Sequence, residues 1–412
     1  MISFQKHTLA NGLTVVAHHD GSTPMATVNM LYKVGSRNEH PDHTGFAHLF
    51  EHLMFGGSRN APQFDVQVQH AGGESNAFTT PDFTNFYVTL PAQNVETALW
   101  LESDRMLNPL LSSESLQVQQ SVVVEEFNQR YLNQPYGDVN LLLHPLAYNV
   151  HPYRWSTIGK CPEHIANATL SEVNDFFGRF YRPDNAVLVV GGNLHHDYVF
   201  ELVQKWFGDI PRGATQPPQH IAAEPGQVEP RSQTVQRSVP ASAIHKAFHM
   251  PHRLHPDYHT CDLLTELLAN GKSSRLYSRW VQARPLFSNV DANISGSLDA
   301  GLLTLSGLLL PQASMPQAED AIAQELQRLC DEPVSDYELE KVKNKVESMQ
   351  VFAEATVMQK AVALAVAEML GDLHLVNTEI ERYRRITRDD IGRVARQIFR
   401  RDNCSTLEYQ KI

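Results

Sequence analysis

The chain has no apolar run near the ~20 residues that a membrane-crossing helix requires. It has no basic excess either: 34 Lys and Arg stand against 46 Asp and Glu, a formal net charge of −12. That balance excludes the electrostatic footprint of a nucleic-acid binder. It suits solubility first and a cationic substrate second. Cysteine is scarce, and Cys161, Cys261, Cys330 and Cys404 are scattered with no CxxC pair. A disulfide framework and a cysteine metal cage are therefore excluded. The opening MISFQKHTLANGLTVVAHHD lacks the charged start and apolar core of a signal peptide. The expectation is a soluble, cytoplasmic protein that engages neither nucleic acid nor membrane.

What is present is ordinary globular composition over 412 residues, too long for one typical domain. The sharpest break is DIPRGATQPPQHIAAEPGQVEPRSQ, residues 209–233, with five prolines and little apolar periodicity. It predicts domains 1–212 and 234–412 joined by a linker, 213–233. LTVVAHH, TVNMLYKVG, FTNFYVTL and AVLVVGG read as strands. Helices are predicted from about Asp42, over 93–106, over 113–131, and after the capping pair Thr169 and Glu172.

The second half repeats the order of the first. FAHLFEHLMFGGSR aligns with CDLLTELLANGKSSR, and SSESLQVQQSVVVEEF with SDYELEKVKNKVESMQ. In the first pairing His48 and His52 become Leu263 and Leu267, while Glu51 falls on Glu266. A core helix without a task looks like the second copy, because buried polar groups are costly unless partnered.

His48 and His52 are four apart, so a helix sets them on one face. They can direct two ring nitrogens at one metal ion. Glu51 is too close in sequence to be an easy third ligand, but it is well placed to reach a water on that ion. Two histidines and one distant carboxylate are a common set for catalytic zinc, and H-x-x-E-H is an inverted zincin pattern. The plain alternative, a solvated polar helix face, sits poorly with Phe46, Leu49, Phe50 and Leu53 around it. The third ligand must come from elsewhere. Glu125 and Glu126 in SVVVEEFNQR are the candidates, and the spacing from Val122 and Val123 leans towards Glu126.

These motifs resemble those of the pitrilysin–insulinase family of zinc peptidases, the inverzincins. The nearest likeness is to its short members, of the mitochondrial processing peptidase β type and their bacterial relatives. GGESNAFTTPDFTNFYVTLP, ESDRM, HPYRWSTIG, FYRPDNAVLVVGG and KSSRL extend the match along nearly the whole chain. The resemblance implies an α+β fold of two similar domains, each a mainly antiparallel sheet covered by helices. It implies a zinc endopeptidase in which His48, His52 and Glu126 bind Zn2+, Glu51 is the catalytic base, and Asn76 and Ala77 hold the peptide as an added strand. It also implies a clam-shell chamber, closed in short members by pairing of two chains around an unfolded peptide.

Two positions depart from the family pattern. Gln119 stands where relatives often carry a further glutamate, two turns before the zinc-binding one. Val281 and Ser288, in WVQARPLFSNV, stand where an arginine and a tyrosine are expected, with Arg284 and Tyr277 nearby but out of register. The plain reading is that one of these two substitutes; the sharper one is that a homologous partner chain supplies the pair, this chain being the metal-bearing half of a heterodimer. The rival reading is a non-catalytic scaffold or peptide-binding subunit.

Overall fold

The computed structural model describes residues 1–213 and 219–412. Ala214 to Pro218, the centre of the proline-rich break, lie outside the described residues. Packing groups the chain into two units. One comprises Met1–Gln129, Trp155–Ile221 and Val351–Thr378; the other comprises Arg130–Arg154, Ala222–Gln350 and Glu379–Ile412. Each half predicted from the sequence therefore lends one segment to the other unit.

The first unit is built on strands β1 (Gln5–Thr8), β2 (Thr14–His19), β3 (Met25–Tyr32), β4 (Glu74–Thr79), β5 (Thr84–Pro91) and β6 (Ala186–Gly192). Their spatial order is β1-β2-β6-β3-β5-β4. Every pair is antiparallel except β2 with β6. The central strands are near-continuous apolar runs because both faces of the sheet are covered. Tyr32 meets Phe86 and Tyr181 on one face. Tyr181 in turn stacks on Phe50 of helix α1 (Phe46–Met54). The adjacent Leu31 points to the other face, since strand side chains alternate. There Leu31, Val16, Val187 and Val189 pack against Ala361, Leu364 and Ala365. These three belong to the helix Val357–Met369, the segment contributed from the C-terminal half.

Helix α2 (Val95–Leu107) carries ESDRM. Arg105, 1% exposed, pairs through two nitrogens with the buried Glu102, and its guanidinium lies over the rings of Phe64 and Phe86. Helix α3 (Ser113–Phe127) starts at a cap on Ser112, whose hydroxyl accepts the Ser115 N–H.

The second unit repeats this plan with β7 (Arg231–Arg237), β8 (Ala243–Met250), β9 (Phe287–Ile294), β10 (Gly301–Leu309) and β11 (Cys404–Lys411). Their order, β7-β11-β8-β10-β9, and their one parallel pair, β7 with β11, reproduce β2-β6-β3-β5-β4 strand for strand. Helices α4 (Tyr258–Leu268) and α5 (Asp336–Ala353) stand where α1 and α3 stand in the first unit. On the reverse face Leu143 and Ala147, from the exchanged helix Val139–Ala147, meet Ala243, Ala247, Leu407 and Tyr409. The predicted linker is partly anchored here. Glu224 accepts the N–H groups of Asn149, Val150 and His151, and Gln227 donates to the Cys404 carbonyl. The predicted duplication and the α+β class are both seen.

The exchanged helix makes a distinctive expectation. Leu364→Ala removes a fully buried side chain and is expected to cost about 2–5 kcal/mol. Hydrogen exchange should locate the lost protection in β3 and β6, although residue 364 follows β10 in sequence; loss confined to β8 and β11 would refute the assignment.

Candidate metal centre and strand edge

Helix α1 exists because its sequence has one apolar face and a built start. Phe46, Ala47, Leu49, Phe50, Leu53 and Met54 are buried. Gly45 precedes the helix at φ +90°, and a Cβ there would meet the Ile158 carbonyl oxygen at 2.6 Å. Only glycine fits that turn. The first N–H groups of a helix have no partner within it. Here Glu39, 4% exposed, accepts the Gly45 N–H on Oε2 and the Ala47 N–H on Oε1, both at 2.9 Å. Burial pushes the Glu39 carboxyl up to about 8, against the pull of those two donors.

The opposite face of α1 carries His48, Glu51 and His52, all partly exposed. The two imidazole rings are edge to face, 4.8 Å apart. Glu126 Oε2, on α3, lies 3.3 Å from His52 Nε2 and 3.7 Å from His48 Nε2. One donor atom from each residue lies within 4.8 Å of the others. Zinc with N and O ligands at about 2.0–2.2 Å in a tetrahedron needs donors about 3.3–3.6 Å apart, and the two Glu126 separations, 3.3 and 3.7 Å, lie close to that spacing. Packing sets the two neighbouring glutamates apart. Glu126 turns to the histidines, while Glu125 is exposed and accepts from Gln129 Nε2 at 2.8 Å. Val123 is buried as expected, but Val122 is 45% exposed, so the predicted apolar face of α3 is narrower by one residue. Gln119 is partly exposed, two turns before Glu126.

Thr79, at the end of β4, donates its hydroxyl to Glu51 Oε2 at 2.6 Å. Below α1, burial holds the Tyr181 hydroxyl well above its ordinary value, and the Glu51 charge adds to the effect. Asn76 and Ala77 lie on β4, which pairs with β5 and forms the edge of its sheet. The Asn76 side chain accepts the Ala77 N–H at 2.8 Å on that exposed edge. Sequence reading missed Glu39 and Thr79. Glu39 stands six residues before Gly45, outside the positions where local capping signals act, and nothing in the local pattern singled out Thr79.

In the second unit Leu263 and Leu267 are buried in the core. Glu266, the counterpart of Glu51, is paired with Lys345 Nζ and accepts from Asn270 Nδ2 at 3.2 Å. Lys345 stands where α3 has Val122, and the exposed Met349 stands where it has Glu126. Val281 packs against the core, as does Tyr277. Ser288 Oγ donates to the Leu308 carbonyl at 3.2 Å, and Arg284 lines a shallow groove with Trp280 and Asp320.

Residues 14–160 match the family described as insulinase (peptidase family M16), and residues 167–346 match the peptidase M16 inactive domain. The chain belongs to the M16 insulinase–pitrilysin family. It is 30% identical over 411 residues to the zinc protease PqqE of Helicobacter pylori, covering 98% of this chain and 92% of that protein. It is 27% identical over 213 residues to the mitochondrial-processing peptidase subunit beta of Saccharomyces cerevisiae, covering 51% and 46%. A crystal structure of a protease from Helicobacter pylori matches all of both chains with a TM-score of 0.95 at 28% identity.

Two outcomes are expected. The purified chain should take up zinc and gain thermal stability from it, and His48→Ala or Glu126→Gln should abolish that gain in a thermal-shift titration. Separately, the folded state keeps a proton on Glu39 that the unfolded chain releases near 4.5. Glu39 therefore subtracts stability as pH rises from about 4.5 to about 8. The Tm of Glu39→Gln should gain on that of the wild type across this window; a constant difference would refute the assignment.

Proposed function

We propose that this chain is a zinc-dependent endopeptidase acting on short or unfolded peptides, and the catalytic subunit of a heterodimer. The observation that carries the reading is the convergence of His48, His52 and Glu126 donor atoms beside a further carboxylate, Glu51. His48, His52 and Glu126 hold the metal. Zinc bound there supplies a Lewis acid that acidifies water and polarises a carbonyl. Glu51 accepts the proton of the attacking water and returns it to the leaving amine, so the proton balance closes within one residue. The free edge of β4 takes an extended peptide as an added strand, through main-chain hydrogen bonds that do not read sequence. Asn76 yields the Ala77 N–H when the peptide pairs. A folded substrate has no free strand to offer, which favours unfolded chains.

The heterodimer reading rests on the WVQARPLFSNV segment. Val281 and Tyr277 pack against the core and Ser288 bonds to its own sheet, and on this reading a homologous partner supplies the arginine–tyrosine pair. The similarity to a protein named as a subunit supports this. Among the described residues no helix is long and apolar enough to cross a membrane. The four cysteines are free thiols, and the cytoplasm, where thiols stay reduced, is the compartment of this reading.

A quenched fluorescent peptide tests the proposal. Cleavage by the copurified complex should vanish with a chelator, and Glu51→Gln should lower kcat by roughly 10²–10⁴-fold with zinc retained. Chelator-insensitive cleavage would remove the mechanism. Full activity of this chain alone would remove the heterodimer but leave the peptidase. Absence of cleavage with any partner would favour the scaffold or peptide-binding role.

A further inference from the structure

We propose that Thr79 is a positioning residue for the base, its hydroxyl tying the Glu51 carboxylate to the strand edge. The inference rests on the peptidase reading above. The Thr79 Oγ1 to Glu51 Oε2 distance is 2.6 Å, the short range of a hydroxyl donating to a carboxylate. Thr79 is the last residue of β4, paired with Thr84 on β5. Asn76 and Ala77 are three and two residues earlier on the same strand. A peptide that adds to this edge is thus held by the strand that also holds the base. Register on β4 sets both where the scissile bond lies and where Glu51 points.

The second unit supplies a comparison within the same chain. There the carboxylate at the matching helix position, Glu266, is held by Lys345 and Asn270. An ammonium neutralises the carboxylate it holds, and the residue becomes part of a structural ion pair. A hydroxyl orients the carboxylate and leaves its charge in place. The residue at the Lys345 position in the first unit is Val122, which has no charge to offer. The hydroxyl contact at Glu51 and the ammonium contact at Glu266 are different restraints at matching helix positions.

The test compares Thr79→Val, which keeps the shape and removes the donor, with Thr79→Ser, which keeps the donor. Zinc content, kcat and KM are measured on the copurified complex, and each zinc-loaded variant is crystallised. Thr79→Val should lower kcat roughly 10- to 100-fold, with KM within about twofold and zinc content unchanged. Thr79→Ser should recover most of the loss. In crystals the Glu51 carboxylate should hold one position in wild type and Thr79→Ser and lose it in Thr79→Val. Unchanged kcat in Thr79→Val, a Ser variant no better than Val, or a fall in zinc content would overturn the proposal. If the wild type cleaves nothing, the peptidase reading fails, and the crystallographic arm still decides the position of Glu51.

Discussion

The constraint on which the rest depends is that α1 must carry two imidazoles and a carboxylate on one face while its other face is sealed in the core. Polar groups taken partly out of water need partners. Glu126 meets the histidines, Thr79 meets Glu51, and Glu39 meets the first N–H groups of the helix. Each partner comes from a different element: α3, the edge strand, and the loop before the helix. The site is therefore as rigid as the packing between those elements, which is why Phe50 stacks on Tyr181 and Phe176 beneath it.

Duplication makes the same point by contrast. The two units share strand order, the one parallel pair and the capped third helix. They differ in what lies between α1 or α4 and the helix beside it. In one unit the space holds a convergent donor set; in the other Leu263 and Leu267 fill it and Lys345 pairs with Glu266. A cation supplied by the chain itself is a stable resolution for the carboxylate, but it leaves no open position for a reacting molecule. The same scaffold thus holds a convergent donor set or a closed core, depending on a handful of side chains.

Segment exchange means that each sheet is covered in part by a helix from the other half of the sequence. The helix Val357–Met369 closes the reverse face of the first sheet, and Val139–Ala147 closes that of the second. Each sheet has apolar residues on both faces, so neither is satisfied by the helices of its own half alone. The proline-rich break marks where the chain changes character. One division of the packing, between Ile221 and Ala222, falls inside it; the others lie elsewhere in the chain, because burial is decided by which surfaces meet and not by order along the chain.

The sequence by itself determined the elements whose signals are local. The i, i+4 spacing of His48 and His52, the capping pair Thr169–Glu172, the buried run AVLVVGG and the repeat were all legible, because backbone periodicity and capping act within a few residues. It narrowed the third donor to Glu125 or Glu126, and it left open which one faced inward until the family resemblance pointed to Glu126. Only the tertiary structure decided that Glu126 approaches the histidines, that Val122 is exposed, that Glu39 caps α1 and that Thr79 reaches Glu51. Those contacts join residues from 6 to 78 positions apart, where no periodicity carries information. They exist because separate elements pack against one another, and packing is a property of the folded chain.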